Sequence, residues 1–341
     1  MRYGIIDGIF AAPLPRRLSK AMMAESVAMR MKTIQHFEAL PTGEQPVFCA
    51  IGMFDGLHLG HQSVLKHLID QARSTKGLSV VLTFQTHPAE LLTPDRSPKL
   101  IYPTDYKQAL LESIGVDIAW MIPFDKRLSQ MSAEDFVEKI RHYTHNLSGI
   151  SVGSNFSFGC RRQGNVDFLK DCGKHHGFQV EGKVPLHYGE DLVSSTRIRH
   201  LIQSGNIEMT SRLLGRPYSL MGQVISGDGL GRKLGFPTAN LDCQRLALPP
   251  LGVYAITCNI EGQERGGVLN IGKRPTLNHT DPKLQVEAHF WDFEMNLYDK
   301  RIGLEIKGRL RGERRFPDVD SLKSQIKKDI KNAQCMLEGI R

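Results

Sequence analysis

The 341-residue chain has six cysteines, at positions 49, 160, 172, 243, 258 and 335, and no two of them form a Cys-x-x-Cys pair or crowd into a short segment. That spacing supplies neither a disulfide framework nor a structural zinc motif, and it suits a reducing compartment. Cys160 and Cys172 read as packing residues. Also missing is any run approaching the roughly 20 apolar residues that a membrane span requires. Residues 1–31 lack an apolar stretch followed by a small-residue cleavage site, so the expectation is a soluble, cytoplasmic protein with no membrane partner. Neither an internal repeat nor a low-complexity tract interrupts the chain. With 40% hydrophobic and 23% charged residues, a disordered or fibrous protein is excluded, and the length predicts about two domains.

Charge of one sign is scarce except at the ends. The formal net charge is +8, but most of it lies in residues 301–341, where eleven basic residues face six acidic ones. A basic tail is a different object from a basic groove. Leu322, Ile326 and Ile330 recur at helical spacing, with Lys323, Lys327, Lys328 and Lys331 between them. The segment from Ser321 to Ile340 therefore reads as one amphipathic helix with a solvated face, and no nucleic-acid partner is expected.

Residues 1–31 carry Met1, Met22, Met23, Met29 and Met31 without defensible periodicity. They are expected to be an N-terminal extension, read as an upstream start or a loose, disordered arm. Asp7 and Glu25 weaken a transit-peptide reading. From Val47 the pattern sharpens. VFCAIG (47–52) is a short apolar run, His61 to Arg73 is amphipathic, and LSVVLTF (78–84) is a second run, together a parallel βαβ unit. Helices over Asp105 to Ile114 and Ala133 to Leu147 alternate with strands at 116–122 and 150–153, which predicts a doubly wound parallel sheet. Beyond residue 218 the texture changes to β-type runs at 253–260, 266–271, 286–293 and 302–310 without helices between them. That pattern predicts an antiparallel barrel or sandwich closed by the final helix. The expected divisions are 32–203, a helical connector at 204–218 ending at Gly215 and Pro217, and 219–341.

The densest chemical signal is GMFDGLHLGHQ (52–62), placed after the first strand and opening the first helix. His58 and His61 would sit where a helix N-terminus favours phosphate, and both imidazoles can donate to phosphoryl oxygens. Gly52, Gly56 and Gly60 would allow close approach of the backbone to a ligand. SSTRIR (194–199) opens a second helix, with hydroxyl caps at Ser194, Ser195 and Thr196 and cations at Arg197 and Arg199. Three other motifs fail on context. GVLNIGKR (267–274) puts Arg274 where a P-loop needs Ser or Thr and reads as strand. Ser151 in GISVG lies inside a predicted strand rather than at a nucleophile elbow. Lys174-His175-His176 lacks metal-ligand spacing and reads as helix surface.

Seven ordered segments, IGMFDGLHLGHQ, VLTFQTHPAELL (81–92), SVGSNFSFG (151–159), SSTRIR, GDGLGRKLGFPTANL (227–241), IGKRPT (271–276) and VEAHFWDF (286–293), resemble the motifs of the prokaryotic bifunctional riboflavin kinase/FAD synthetase. The resemblance runs from about residue 47 to 332. It implies a Rossmann-like nucleotidylyltransferase domain that adenylylates FMN, followed by a six-stranded β-barrel that phosphorylates riboflavin. By carry-over, His58 and His61 contact ATP phosphates and Asn155 orients the triphosphate or its metal. Ser195, Thr196 and Arg199 bind phosphates, and Phe54 and Asp55 shape the same loop. In the second half Gly227, Gly229 and Gly231 form a phosphate-binding turn. Thr238 and Asn240 match phosphate and Mg²⁺ ligands, Glu287 the catalytic base, and Arg311 a flavin-side residue. The implied partners are riboflavin, FMN and ATP, with the enzyme a monomer or weak homo-oligomer.

Several positions depart from the family pattern. Gln85 and Thr86 stand where Asp-Pro is usual, Met53 replaces a frequent Asn, and Asn155 sits where Asp is also common. Asp299 replaces a usual Gly, and Gly312 a usual Pro. The Gln85 departure keeps open the alternative of a kinase carrying a degenerate adenylyltransferase. A non-enzymatic nucleotide- or RNA-binding protein is a second alternative, with salt-dependent binding as its signature.

Overall fold

The computed structural model describes residues 31–40, 43–274, 283–293 and 295–339. The expected extension, up to residue 30, lies outside the described residues, as do Pro275 and Thr276. Strands β1 (Lys32–Ile34), β2 (Val47–Ile51), β3 (Leu78–Phe84), β4 (Ile118–Ile122) and β5 (Leu147–Gly153) enter the first sheet. A small hairpin, β6 (Ser157–Phe158) and β7 (Gly164–Asn165), precedes the sixth sheet strand, β8 (Gln179–Lys183). All six pair in parallel, in the order β1-β4-β3-β2-β5-β8. The chain thus winds outward through β3 and β4 on one side of β2 and through β5 and β8 on the other. The point of reversal lies between β2 and β5.

Strand periodicity explains the two layers of helices. Along β2, Phe48 and Ala50 enter one core while Val47, Cys49 and Ile51 enter the other, because successive side chains point to opposite faces. On the first face pack α1 (Leu59–Ser74) and, after the short α2 (Pro88–Leu92), α3 (Thr104–Ile114). On the second face, after α4 (Lys126–Ser129), pack α5 (Ala133–Thr144) and α6 (Val166–His176). Helix α1 begins two residues earlier than its apolar pattern, since His58 caps it. Helix α5 stops short of Leu147 because His145 takes φ 52° and the chain turns into β5. A second small hairpin, β9 (His187–Tyr188) and β10 (Asp191–Leu192), leads into α7 (Ser195–Ser204) and α8 (Ile207–Leu214). Helix α8 ends on left-handed Gly215.

The second sheet closes on itself. Strands β11 (Ser219–Ile225), β12 (Ala239–Asp242), β13 (Gly252–Ile260), β14 (Gln263–Arg274), β15 (Lys283–Phe290) and β16 (Arg301–Gly312) form an antiparallel barrel in the order β11-β12-β15-β14-β13-β16. The short α9 (Leu230–Leu234) sits between β11 and β12, and α10 (Val319–Glu338) packs outside the barrel against β13, β14 and β16. Inward residues such as Leu269, Ile271, Leu304 and Ile306 belong to the same apolar cluster as the α1 face of the first sheet. The two halves are therefore packed together, joined through Tyr218, Leu246 and Ala247. Polar links cross as well: Leu100 N–H donates to Arg245 O at 2.9 Å, and Ala247 N–H to Leu100 O at 2.8 Å.

Candidate functional site

Open parallel sheets bind ligands at the carboxyl ends of their strands, where the winding reverses. Here the loops after β2 and β5 flank that crevice. The first carries residues 52–58 and the second Asn155, which is exposed in the turn closed by Phe156 N–H to Gly153 O at 2.9 Å.

The loop after β2 leaves ordinary backbone space three times, with φ 49° at Phe54, 79° at Gly56 and 37° at Leu57. Such a path is costly unless its polar groups are satisfied elsewhere. Each carbonyl from 53 to 58 has a donor. Met53 O accepts from Thr83 Oγ1 at 3.1 Å and Lys107 Nζ at 3.3 Å. Phe54 O accepts from Leu57 N–H at 3.2 Å and Asp55 O from Ser195 Oγ at 2.9 Å. Gly56 O accepts from Arg216, and Leu57 O from both Arg216 at 2.9 Å and Gln62 at 2.8 Å. His58 O begins the helix by accepting from Gln62 N–H at 2.9 Å.

His58 then caps α1, its Nδ1 accepting from His61 N–H at 3.3 Å. An accepting Nδ1 places the ring proton of the neutral imidazole on Nε2, available to a ligand. The two imidazoles stack with centroids 3.6 Å apart, and Phe54 meets His61 edge-on at 5.2 Å. Burial lowers His58 to about 4, helped by the positive charge of Arg216 and Arg199. Burial likewise holds His61 well below its ordinary value, with further contributions from His58, Lys107 and Arg216. The pair is therefore neutral at physiological pH, each ring able to offer one N–H donor. Gly60 has no Cβ because one would stand 3.2 Å from His58 Nδ1 and 3.6 Å from Val193 O; the glycine makes room for the imidazole and for the approach to α7.

Helix α7 is capped by Ser194, which accepts from Arg197 N–H at 3.2 Å. Its arginines already have protein partners: Arg197 donates to Asp191 at 2.9 Å, and Arg199 to Asp55 at 2.7 Å and to Lys99 O at 2.6 Å. Thr196 is exposed. Asp55, buried, also accepts from the amides of Ile101 at 3.1 Å and Tyr102 at 3.5 Å. It shapes the loop through these bonds. Two helix N-termini thus converge on one crevice, an arrangement suited to polyphosphate.

Sequence reasoning missed Lys107, Arg216, Gln62 and Thr83. Lys107 lay in reach, since it shares the buried face of α3 with Leu110 and Leu111. Burial brings its ammonium down to about 8. Gln85, the notable departure, donates its side-chain amide to Met121 O on β4 at 3.2 Å, a bond that a carboxylate could not donate.

The barrel carries a second cluster. Glu287 on β15 lies opposite Asn240 on β12 and, on its other side, Asn270 on β14. Val286, Ala288 and Phe290 point into the barrel, so alternation turns Glu287 outward. It faces a cavity of about 350 Å³ that Gly229, Gly231, Thr238, Asn240 and Arg311 also line. A second cavity, also about 350 Å³, is lined by Arg232, Phe290 and Phe293, and Thr238 borders both. The glycine turn serves these side chains: a Cβ on Gly227 would fall 2.1 Å from the Asn240 amide, and one on Gly231 3.0 Å from Thr238 Oγ1. Thr238 and Asn240 offer neutral hard oxygens, a donor set that fits Mg²⁺ drawing its other ligands from phosphates and water. Arg311 is held by Asp329 of α10, with Nη2 to Oδ2 at 2.8 Å, so in this structure it ties the helix to the wall of the cavity.

Comparison with known proteins follows the same division. Residues 41–197 match the FAD synthetase family and residues 214–337 the riboflavin kinase family. A bifunctional riboflavin kinase/FMN adenylyltransferase of Pseudomonas fluorescens is 35% identical over 306 residues, covering 90% of this chain and 98% of that one. Its Haemophilus influenzae counterpart is 37% identical over 290 residues, covering 85% and 94%. Among solved structures, a Streptococcus pneumoniae chain described as a macrolide-efflux protein superposes with TM-score 0.74 at 26% identity, covering 89% of this chain and 99% of that one. Among the described residues no helix is long and apolar enough to cross a membrane.

Proposed function

The chain belongs to the family of bifunctional riboflavin kinase/FMN adenylyltransferases, and we propose how its residues divide the two reactions it carries out, phosphorylation of riboflavin to FMN and adenylylation of FMN to FAD. Residues 32–203 perform the adenylylation, 204–218 link, and 219–341 perform the phosphorylation.

In the first half an FMN phosphate oxygen attacks the α-phosphorus of ATP. The bond from that phosphorus to the oxygen bridging to the β-phosphate breaks, and pyrophosphate leaves. No covalent enzyme intermediate is needed; positioning and charge stabilisation suffice. His58, through Nε2–H, and His61 donate to the triphosphate, with the N-termini of α1 and α7 beneath it and Asn155 orienting it from the loop after β5. Gly52, Phe54, Asp55, Gly56 and Gly60 give the loop its path, while Ser195, Thr196 and Arg199 complete the phosphate side. The observation supporting this reading is the neutral, stacked His58–His61 pair at the winding reversal.

In the second half Glu287 takes the proton of the ribityl 5′-hydroxyl as its oxygen attacks the γ-phosphorus of ATP and ADP leaves. Gly227, Gly229 and Gly231 shape the turn over the phosphates. Thr238 and Asn240 would hold Mg²⁺, which when bound neutralises charge on the β- and γ-phosphates. Arg311 stands on the flavin side. Thr238, bordering both cavities, suits a transfer point between nucleotide and flavin. The protein is read as cytoplasmic, a monomer or weak homo-oligomer acting on small molecules without a nucleic-acid partner. The exposed lysines 327, 328 and 331 of α10 form a solvated face. A kinase-only reading is not favoured, because the FAD synthetase match spans the Gln85 half.

The test is chromatography of products from riboflavin, ATP and Mg²⁺, and separately from FMN, ATP and Mg²⁺. His58→Ala should lose FAD formation from FMN and keep FMN formation from riboflavin; Glu287→Ala should do the reverse. Loss of both activities in either folded variant would contradict two independent sites.

A further inference from the structure

Arg216 lies in the Gly-Arg-Pro-Tyr segment between α8 and β11, beyond the FAD synthetase match and inside the riboflavin kinase match. Its guanidinium reaches back across about 160 residues of sequence to the loop that precedes His58. Nη2 donates to Gly56 O; Nη1 donates to Leu57 O at 2.9 Å and to Leu214 O at 3.1 Å. The plane lies over the Tyr102 ring at 5.2 Å. Gln62 repeats the link, donating to Leu57 O and to Leu214 O, each at 2.8 Å. Gly215 packs so closely on the start of α1 that a Cβ there would stand 2.5 Å from Leu59 Cδ2.

Two of the bridged carbonyls belong to residues at positive φ, Gly56 and Leu57, and the second has a side chain that disfavours that region. A backbone held there needs its surroundings to fix it. Arg216 and Gln62 supply the side-chain donors to these two carbonyls, immediately before the histidine that caps α1. The segment bearing Arg216 is itself anchored: Tyr218 is buried, with its N–H donating to Ser211 Oγ at 3.0 Å and its hydroxyl to Ala247 O at 3.4 Å.

We infer that Arg216, contributed by the kinase-side segment of the chain, is a positioning residue for adenylylation, holding the 54–57 loop in the path that presents His58 and His61 to ATP. The inference rests on the assignment of adenylylation to that loop. It assigns to Arg216 no part in phosphorylating riboflavin: the guanidinium bonds to Leu214 of α8 and to Gly56 and Leu57 of the loop and lies over Tyr102, and none of these belongs to the Glu287 and Thr238 cluster.

The experiment uses the full-length protein and assays both reactions on the same preparation. Arg216→Met should lower kcat for FAD formation at least ten-fold, with a smaller change in KM for ATP, while FMN formation from riboflavin stays within two-fold. Arg216→Lys, which keeps a cation but reaches fewer carbonyls, should recover part of the loss, and it carries the test if Arg216→Met does not fold. The double variant with Gln62→Leu should lose less than the product of the single losses, because both residues hold Leu57 O. Parallel loss of the two activities, or no loss of adenylylation, would overturn the inference. His58→Ala is the control. If that variant retains full FAD formation, the assignment of the site itself fails, whatever Arg216 does.

Discussion

The Arg199 guanidinium donates to the Asp55 carboxylate at 2.7 Å, with only 12% and 5% of the two side chains exposed, and so ties the N-terminal half of α7 to the loop after β2. Asp55 holds the Ile101 and Tyr102 amides in the same grip. Leu100, which adjoins them, bonds across to Arg245 and Ala247 on the barrel side. One ion pair thus fastens three segments around the crevice.

Breaking that pair from one side leaves a mostly buried charge without its counter-ion, which costs on the order of 3 kcal/mol. Asp55→Asn should lower the denaturant midpoint correspondingly and reduce FAD formation at least ten-fold. Kinase activity should persist at temperatures where the variant remains folded. Equilibrium unfolding and the paired product assay measure both effects; an unchanged midpoint would show that the pair contributes nothing net.

The buried histidines give the fold a pH dependence of definite sign. His58 is lowered to about 4 in the folded state from an ordinary 6.5, so the unfolded chain binds the proton first. The stability this neutral ring confers is complete above pH 6.5 and drains away as pH falls toward 4. At pH 5 the loss amounts to about 2 kcal/mol by linkage, with His61 adding in the same direction. Urea midpoints measured between pH 7.5 and 5 should fall, and His58→Asn should flatten the slope. A wild-type slope of zero would mean that the ring is not held neutral.

Much of this is legible in the sequence. The run 47–51 is apolar without alternation because both faces of β2 are covered, and the 3.6-residue stripe of α1 marks its partner. The three-residue β1 was not legible, since so short an edge strand has no period to read. Strands β11 and β12 are obscured by the Gly, Pro and Asn residues of the turn between them. Asp299 stands where the family usually has Gly, and the structure places it at φ 62°, a region Asp tolerates better than most residues. His58 and His61 stand out by position, and Gln62 lies in the same motif, whereas Arg216 has no local pattern; its partners are fixed only by tertiary packing.

Gln85 supplies a sharper check on reading departures as losses. Its amide donates to Met121 O at 3.2 Å and its backbone N–H to Ile122 O at 3.1 Å, so the side chain extends the pairing of β3 with β4. Gln85→Ala should leave the adenylylation rate within about three-fold and cost about 1 kcal/mol of stability, the usual net worth of such a bond. A loss of FAD formation beyond ten-fold without a change in stability would instead give Gln85 a direct part in substrate binding.

Arg311 and Asp329 fasten α10 over the barrel cavity that Glu287 faces. Asp329 is buried and accepts from Arg311 Nε at 3.0 Å, from Nη2 at 2.8 Å and from Gln325 at 2.9 Å. Around it the helix contributes Leu322 and Ile326 to the cavity wall. Arg311→Met would strand the carboxylate at a cost of about 3 kcal/mol, and the cheapest relief is for α10 to lift from β13 and β14. Amide hydrogen exchange in residues 319–338 should therefore accelerate by about a hundred-fold, the exchange factor that corresponds to that cost. FMN formation should weaken through a raised KM for riboflavin, while FAD formation from FMN stays near wild type. Arg311→Met combined with Asp329→Leu removes the stranded charge and should restore protection of the helix. If protection returns but the riboflavin KM does not, Arg311 contacts the flavin in addition to anchoring the helix.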